Sequence, residues 1–304
     1  MADKSSPYAG GRFGLVIDGS EFLGYVKSVS GGNIKGEVSV HELGPDNIQK
    51  KHISTINHEP FKVEVGMGMS EGFYEWIRQS FDKSHVSKTG EVVACDFDYH
   101  AQAVREFYNA HITEVTVPTL DGSSKEPAYM SVTLEPETIR YRKGDGSQIT
   151  PKIAPATKKW LTSNFKFELG DLPCSRVAKI ESFTWKQNLC KDEVGSFREP
   201  EKTPAKVEVP NLKLTISMSD IEDWQQWHKS FVIDGNCAEE DELSGAITFL
   251  GPNMEKTLAT IELMNVGIIS LEQAQSEANK EEVARFEVEL YVENMRFDYE
   301  EADA

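Results

Sequence analysis

Basic side chains are scarce in this chain: 32 Lys and Arg stand against 50 Asp and Glu in 304 residues, a formal net charge of −18. Clustered cations supply nonspecific nucleic-acid affinity, so the balance excludes a general phosphate binder, while a surface that repels DNA remains compatible with it. The acid excess is uneven: residues 1–152 hold 16 basic and 21 acidic side chains (net −5), residues 153–304 hold 16 and 29 (net −13). Long apolar runs are missing too. None approaches the roughly 20 residues that cross a bilayer, and the opening Met1-Ala-Asp-Lys-Ser-Ser-Pro7 lacks the apolar segment of a secretory signal, which predicts folding in a cytosol and no membrane partner. Cysteine is sparse: Cys95, Cys174, Cys190 and Cys237 lie far apart, without the paired spacing of zinc or thiol-redox motifs, and read as reduced, mostly packed thiols. No Gly-rich phosphate loop, nucleophile elbow or HExxH helix is present. The sequence therefore nominates no catalytic, cofactor-binding or metal-ligating residue and no cofactor, and predicts that the protein is not an enzyme.

What the chain has is a repeat. Glu106–Tyr141 aligns without a gap onto Glu262–Phe297, at a constant offset of 156 (262 minus 106). Glu106 matches Glu262, Asn109 matches Asn265, Ile112 matches Ile268, and Arg140 matches Arg296; the alternation Met130, Val132, Leu134 falls onto Phe286, Val288, Leu290. Upstream, with small gaps, Phe13, Leu15 and Ile17 match Phe165, Phe167 and Leu169, Phe61-x-Val-x-Val65 matches Leu212-x-Leu-x-Ile216, and Gln79-Ser-Phe81 matches Lys229-Ser-Phe231. Between the halves, Lys143-Gly-Asp-Gly-Ser-Gln-Ile-Thr-Pro-Lys-Ile-Ala-Pro-Ala-Thr157 has the Gly and Pro content of a linker. These features predict two tandem domains, 1–150 and 151–304, with the boundary within 145–160.

Each half reads as strands, one helix, then strands. Phe286, Val288, Leu290 and Val292 alternate with Glu287, Glu289, Tyr291 and Glu293, the pattern of a half-buried antiparallel strand. Helices are expected over Ser70–Phe81, where Phe73, Trp76, Ile77 and Phe81 share a face, and over Ser219–Phe231, where Ser219-Asp-Ile-Glu222 has the form of a capping box. The expected fold class is mainly β: a β-sandwich or partial barrel with one flanking helix, present twice.

A few clusters invite chemistry. On a strand, Asp96, Asp98 and His100 would share a face able to meet a cation, and a solvated strand face explains them equally well. His52 and His58 match no zinc spacing, and His228 is expected to be packed or hydrogen-bonded. Trp76, Trp185, Trp224 and Trp227 could form a sugar platform, but their apolar faces favour packing. Glu239-Glu-Asp-Glu242 reads as a solvated loop.

The opening Phe13-Gly-Leu-Val-Ile-Asp-Gly19 and Gly24-Tyr-Val-Lys-Ser-Val-Ser-Gly-Gly32, the tryptophan-bearing helix at Trp76 and the late strand pair from Asn109 to Tyr141 resemble the tail tube proteins of contractile phages. The second half is similar in layout but lacks the glycine signature, carrying Gly-Asp-Leu-Pro at 170–173. The resemblance implies six-fold rings whose sheets join into a β-lined channel, so that self-association, as a homotrimer of two-domain chains, would build a pseudo-six-fold ring. It implies stacked rings, sheath and baseplate or terminator proteins as partners, and DNA or protein cargo passing without specific binding. The expected location is a virion or injection-particle tail after synthesis in the bacterial cytoplasm. It further implies that Gly31–Pro60 and Lys186–Pro210 are arms that contact the adjacent ring, ordinary surface loops being the plainer reading. Two alternatives stand beside the tube: an initiator, adaptor or cap of the same apparatus, and a two-domain carbohydrate-binding β-sandwich.

Overall fold

The computed structural model describes residues 11–18, 21–43, 48–149, 160–192, 199–273 and 285–300. Most of the expected linker, at 150–159, lies outside the described residues. The first half runs β1 (Arg12–Ile17), β2 (Glu21–Val26), β3 (Ser28–Gly31), β4 (Ile34–Leu43), β5 (Ile48–His58), β6 (Phe61–Val65), α1 (Glu71–Phe81), β7 (Lys88–Cys95), β8 (Ala101–Val117), β9 (Leu120–Asp121), β10 (Met130–Glu135) and β11 (Thr138–Lys143). The second runs β12 (Phe165–Leu169), β13 (Val177–Ile180), β14 (Phe183–Asp192), β15 (Glu201–Glu208), β16 (Leu212–Ser217), α2 (Ile221–His228), β17 (Leu243–Leu250), β18 (Thr257–Gln273) and β19 (Arg285–Tyr299). The fold is mainly β with flanking helices, as the period-2 alternation predicts.

Strand order is β2-β1-β7-β8-β10-β6-β3 in the first half and β12-β17-β18-β19-β16-β13 in the second. Local irregularities recur at matching places. Asn109 and Asn265 both take positive φ, 49° and 54°, a conformation asparagine tolerates better than most residues. At each the neighbouring strand slips register: Lys88 faces Ala110 but Gly90 faces Phe107, and Leu243 faces Val266 but Gly245 faces Leu263. A second slip lies between the Glu114–Thr133 and Ile112–Leu134 pairs, and between the Ser270–Glu289 and Ile268–Leu290 pairs. A third lies in the β4–β5 hairpin after Gly36–Ile56 and in the β14–β15 hairpin after Gln187–Val207. The bulge glycines have one cause: a Cβ on Gly90 would lie 2.3 Å from the Val16 carbonyl oxygen, and one on Gly245 would lie 2.2 Å from that of Glu168. No side chain fits between those strands.

The halves also differ. Proline lacks the amide that continues a ladder, so Pro136 divides β10 from β11, whereas Val292 at the matching position lets β19 run unbroken. The second half has no strand in the place of β2: Gly170–Arg176 is turn, and β12 ends the sheet.

Helix α1 follows Ser70 and buries Phe73, Trp76, Ile77 and Phe81 as expected, together with Tyr74. The second helix departs from expectation. Met218–Asp220 is a 3-10 turn, α2 begins at Ile221, and the last turn, Lys229–Ile233, is a π-helix. The capping box does not form, because the 3-10 turn carries Ser219 outside the α-helix, where its hydroxyl meets the Arg176 guanidinium at 2.6 Å. One buried apolar cluster extends from Leu15 to Phe297 through both halves, and a smaller one, Val16, Val93, Cys95, Ala101 and Val104, covers the other face of β1.

Candidate assembly interface

The two halves are joined by strand pairing in both directions. β14 lies along the C-terminal part of β8, with Phe183, Thr184, Trp185 and Lys186 facing Val117, Thr116, Val115 and Glu114. β9 of the first half pairs with β13 of the second through Leu120–Ile180. Along the first seam the Thr116 and Thr184 hydroxyls are 2.9 Å apart and Lys186 reaches Glu114 at 3.5 Å. Trp185 is 1% exposed and stacks on Phe81 of α1 at 4.5 Å. Phe297 and Tyr299 of β19 also cover α1: Tyr299 stacks on Tyr74 at 3.9 Å, Phe297 lies 6.0 Å from Phe81, and Arg296 reaches Asp82 at 3.4 Å. Such aromatic pairs contribute about 1 kcal/mol each beyond the area they bury.

A polar seam runs beside this contact. Lys202 of β15 is buried; its ammonium donates to the Pro136 carbonyl at 2.7 Å and meets Glu135 at 3.0 Å, and its backbone N–H donates to Glu137 at 3.0 Å. Burial pulls the Lys202 pKa down, and the Glu135 carboxylate opposes that shift. His58, also buried, accepts the Ile139 N–H on Nδ1 at 3.1 Å, so Nε2 carries the proton and faces Glu199 at 3.4 Å. Burial holds the pKa of both His58 and His111 below the usual imidazole value. Of this set sequence reasoning singles out only His58. Lys202 carries no sequence signal of burial, since the residues in phase with it on β15 are Pro204, Lys206 and Glu208, and its partners sit 65 or more positions away.

The other sequence candidates go elsewhere. Asp96, Asp98 and His100 are in the β7–β8 turn, not on a strand face: the Asp96 carboxylate accepts the Asp98 and His100 N–H groups at 2.9 Å, and Tyr99 takes φ 68°. Burial of one carboxylate's valence in backbone amides makes Asp96 a turn former, and those amides hold its pKa down. His52 stacks on His41 across the β4–β5 hairpin at 4.9 Å. Trp76, Trp185 and Trp224 are fully buried and Trp227 is packed against the core, which removes the sugar platform. The acidic run is more than solvated loop: Asp241 accepts the Ala238 N–H at 3.0 Å and Glu242 accepts the Tyr291 hydroxyl at 2.6 Å. Among the cysteines only Cys95 is buried; Cys174 is half-buried, with burial pushing its thiol up to about 11, and Cys190 and Cys237 are exposed, on a hairpin and a loop, against the expectation of mostly packed thiols. Among the described residues no three His, Cys, Asp or Glu side chains converge as a metal site, and no helix is long and apolar enough to cross a membrane.

Residues 11–140 match the family model described as T4-like virus tail tube protein gp19. The first half is thus similar to the tail tube family. No curated protein matches the chain. Solved structures similar to it include one titled as a sheath–tube complex of an extracellular contractile injection system, PVC, in the extended state (17% identity, 44% of this chain and 88% of that one, TM-score 0.37). Another is the anti-feeding prophage tube-terminating cap (16% identity, 51% and 98%, TM-score 0.38). A third is the PVC sheath/tube terminator in the extended state (17% identity, 49% and 99%, TM-score 0.35).

The family-matched segment leaves one element without a larger sheet. β4 and β5 pair only with each other, as a two-stranded hairpin, and it exposes Ile34, Val38, Val40 and Ile53. One side chain engages the start of its outer edge: the Tyr141 hydroxyl accepts the Ile34 N–H at 3.1 Å and donates to the Gly32 carbonyl at 3.3 Å. In the second half Val232 and Ile233, just past Phe231, and Ile269 on β18 are exposed.

Proposed function

We propose that the chain is a doubled tail tube protein in which 1–150 and 151–304 are two copies of one β fold. Three chains close into a ring of pseudo-six-fold symmetry, and rings stack to form or extend an inner tube. The observation that supports this is the recurrence, in the second half, of the strand order, the positive-φ asparagines and the register slips of the family-matched first half. Ring closure also fits the physics of sheets, since a circle of like domains covers strand edges that a lone copy leaves open. The segments 31–60 and 186–210 contain hairpins, not irregular loops, and their ends are the stacking contacts in this reading. Glu287 and Glu293, exposed on β19, suit a channel wall that repels DNA while cargo passes without specific binding. Sheath, baseplate and terminator proteins are the partners, and the tail of a virion or injection particle, assembled after synthesis in the bacterial cytoplasm, is the location.

Mass photometry and negative-stain microscopy of the purified full chain test the ring. Rings of three copies, alone or stacked, are expected; a chain that remains monomeric at tens of micromolar, with and without its sheath partner, overturns the reading. A tube adaptor or cap is the second reading, favoured by the missing β2 counterpart and by the larger acid excess of the second half. Copy number in intact particles separates the two: one ring's worth means adaptor or cap, many rings mean tube.

A further inference from the structure

The contact between the halves has two faces, and each has an unused counterpart elsewhere in the chain. The first half contributes the edge of β8 and the end of α1; the second contributes β14 and the end of β19. The matching elements on the outward sides are the edge of β18 with the end of α2, and β4 with β11. The hairpins correspond residue for residue: Lys35 faces Asn57 as Lys186 faces Glu208, an offset of 151 in both strands, and the slip after Gly36 recurs after Gln187. β8 and β18 correspond at offset 156, through Asn109 and Asn265. β18 pairs with β17 only as far as Val266, so beyond it the edge opposite β19 has no strand partner among the described residues.

On the donor side burial differs between the two sets as an unfilled contact requires. Trp185 is 1% exposed at the junction, and its counterpart Ile34 is 38% exposed; Phe297 is 0% exposed, and its counterpart Tyr141 is 57% exposed. On the receiving side Phe231 (5% exposed), which stands where Phe81 does, is nearly as buried as Phe81 (3%), and the open surface is that of its neighbours Val232 and Ile233. We infer that β4 of one copy adds to the β18 edge of a second copy, in the register that β14 adopts on β8. The occupant of the β18 edge is thus another molecule of this chain. Carried across, the register sets Lys35 against Ser270, Ile34 against Leu271 and Asn33 against Glu272. Ile34 then packs on Phe231 in place of the Trp185–Phe81 stack, and the Asn33 amide faces the Glu272 carboxylate in place of the Thr116–Thr184 pair. The Arg296–Asp82 ion pair has no repeat, because Arg140 would meet Val232; its aliphatic stem covers apolar surface there. The contact is heterologous, so it propagates from copy to copy until it closes or continues as a helix.

This inference rests on the ring reading and adds its register. Because the Ile34 N–H points out of the hairpin, Lys35 and Ser270 fall at a non-hydrogen-bonded pair, where side chains approach closely enough for a disulfide. The test is the full chain with Cys190→Ser and Cys237→Ser, carrying Lys35→Cys and Ser270→Cys, oxidised and run without reductant. Covalent dimers and trimers are expected, at least tenfold above those of each single variant and of the out-of-register pair Lys35→Cys with Gln273→Cys. Oligomers that form without register-specific linkage overturn the inference and leave the ring standing; a chain that never leaves the monomer overturns both. Ile34→Glu in the unmodified chain gives the second readout: at least a tenfold rise in the concentration for assembly, with an unchanged thermal unfolding of the monomer, is expected, and unaltered assembly overturns the register.

Discussion

Lys202 shows how much one side chain holds at the seam between the halves. Its removal takes the donor from the Pro136 carbonyl and leaves the Glu135 carboxylate only the Lys191 ammonium at 3.7 Å, a loss of about 2–3 kcal/mol. Lys202→Ala is therefore expected to lower the thermal midpoint by roughly 5 °C or more by calorimetry, at the scale that links such energies to melting temperature. His58 and His111 respond to protons. Their folded pKa values lie below the unfolded value near 6.5, so the native state binds fewer protons than the unfolded chain. Stability is full above that value and falls as pH drops below it. Glu199, Glu135, Glu137 and Lys202 surround the pair, and the carboxylates limit the loss without cancelling it. Thermal melts from pH 7.5 to 5.5 are expected to decline, and less steeply in His58→Gln/His111→Gln. Gly90 and Gly245 are the other exacting positions: alanine at either presses on a neighbouring backbone carbonyl. Each substitution is expected to destabilise by about 1–3 kcal/mol, read from urea midpoints. Neither glycine stands out in the sequence, because spacing alone does not tell a bulge from a turn.

Among the elements, strands and helices were legible wherever one face is apolar. Phe73, Trp76, Ile77 and Phe81 foretell α1, and Val288 and Leu290 foretell the buried face of β19. The second helix was less legible, because a π-turn at 229–233 and a 3-10 turn at 218–220 break the regular 3.6-residue count at both ends. The two hairpins were hidden for another reason. β4 and β14 do alternate, through Ile34, Val38 and Val40 and through Phe183, Trp185 and Leu189, but β5 and β15 are polar on both faces over most of their length, so the partner strand of each hairpin shows no periodicity that separates it from loop. Trp185 is the side chain that turns one of them into a clamp. Trp185→Ala empties the space against Phe81, and such truncations cost about 3–5 kcal/mol. We expect the β14–β15 hairpin to exchange its amide hydrogens faster in that variant, with β12 and β17 little changed, by hydrogen-exchange mass spectrometry.

At the scale of the molecule, the family resemblance was legible in the first half, because the segments Phe13–Gly19 and Gly24–Gly32 that carry it are local and lie within the matched residues. The interlock was not: β9 crossing to β13 and β14 crossing to β8 join residues 58 to 72 positions apart through pairings that local patterns do not encode. The shared core follows from that interlock, and the two halves are expected to unfold in a single transition, seen as coincident fluorescence and circular-dichroism melts; two separated transitions would contradict it. Tyr141 adds a temporal side to this architecture. In the proposed docking, a strand arriving at the start of β4 has first to displace the Tyr141 hydroxyl from the Ile34 N–H and the Gly32 carbonyl. Phe297, at the matching place of the junction between the halves, has no hydroxyl to displace. Tyr141→Phe is therefore expected to lower the concentration at which copies associate, read by light scattering.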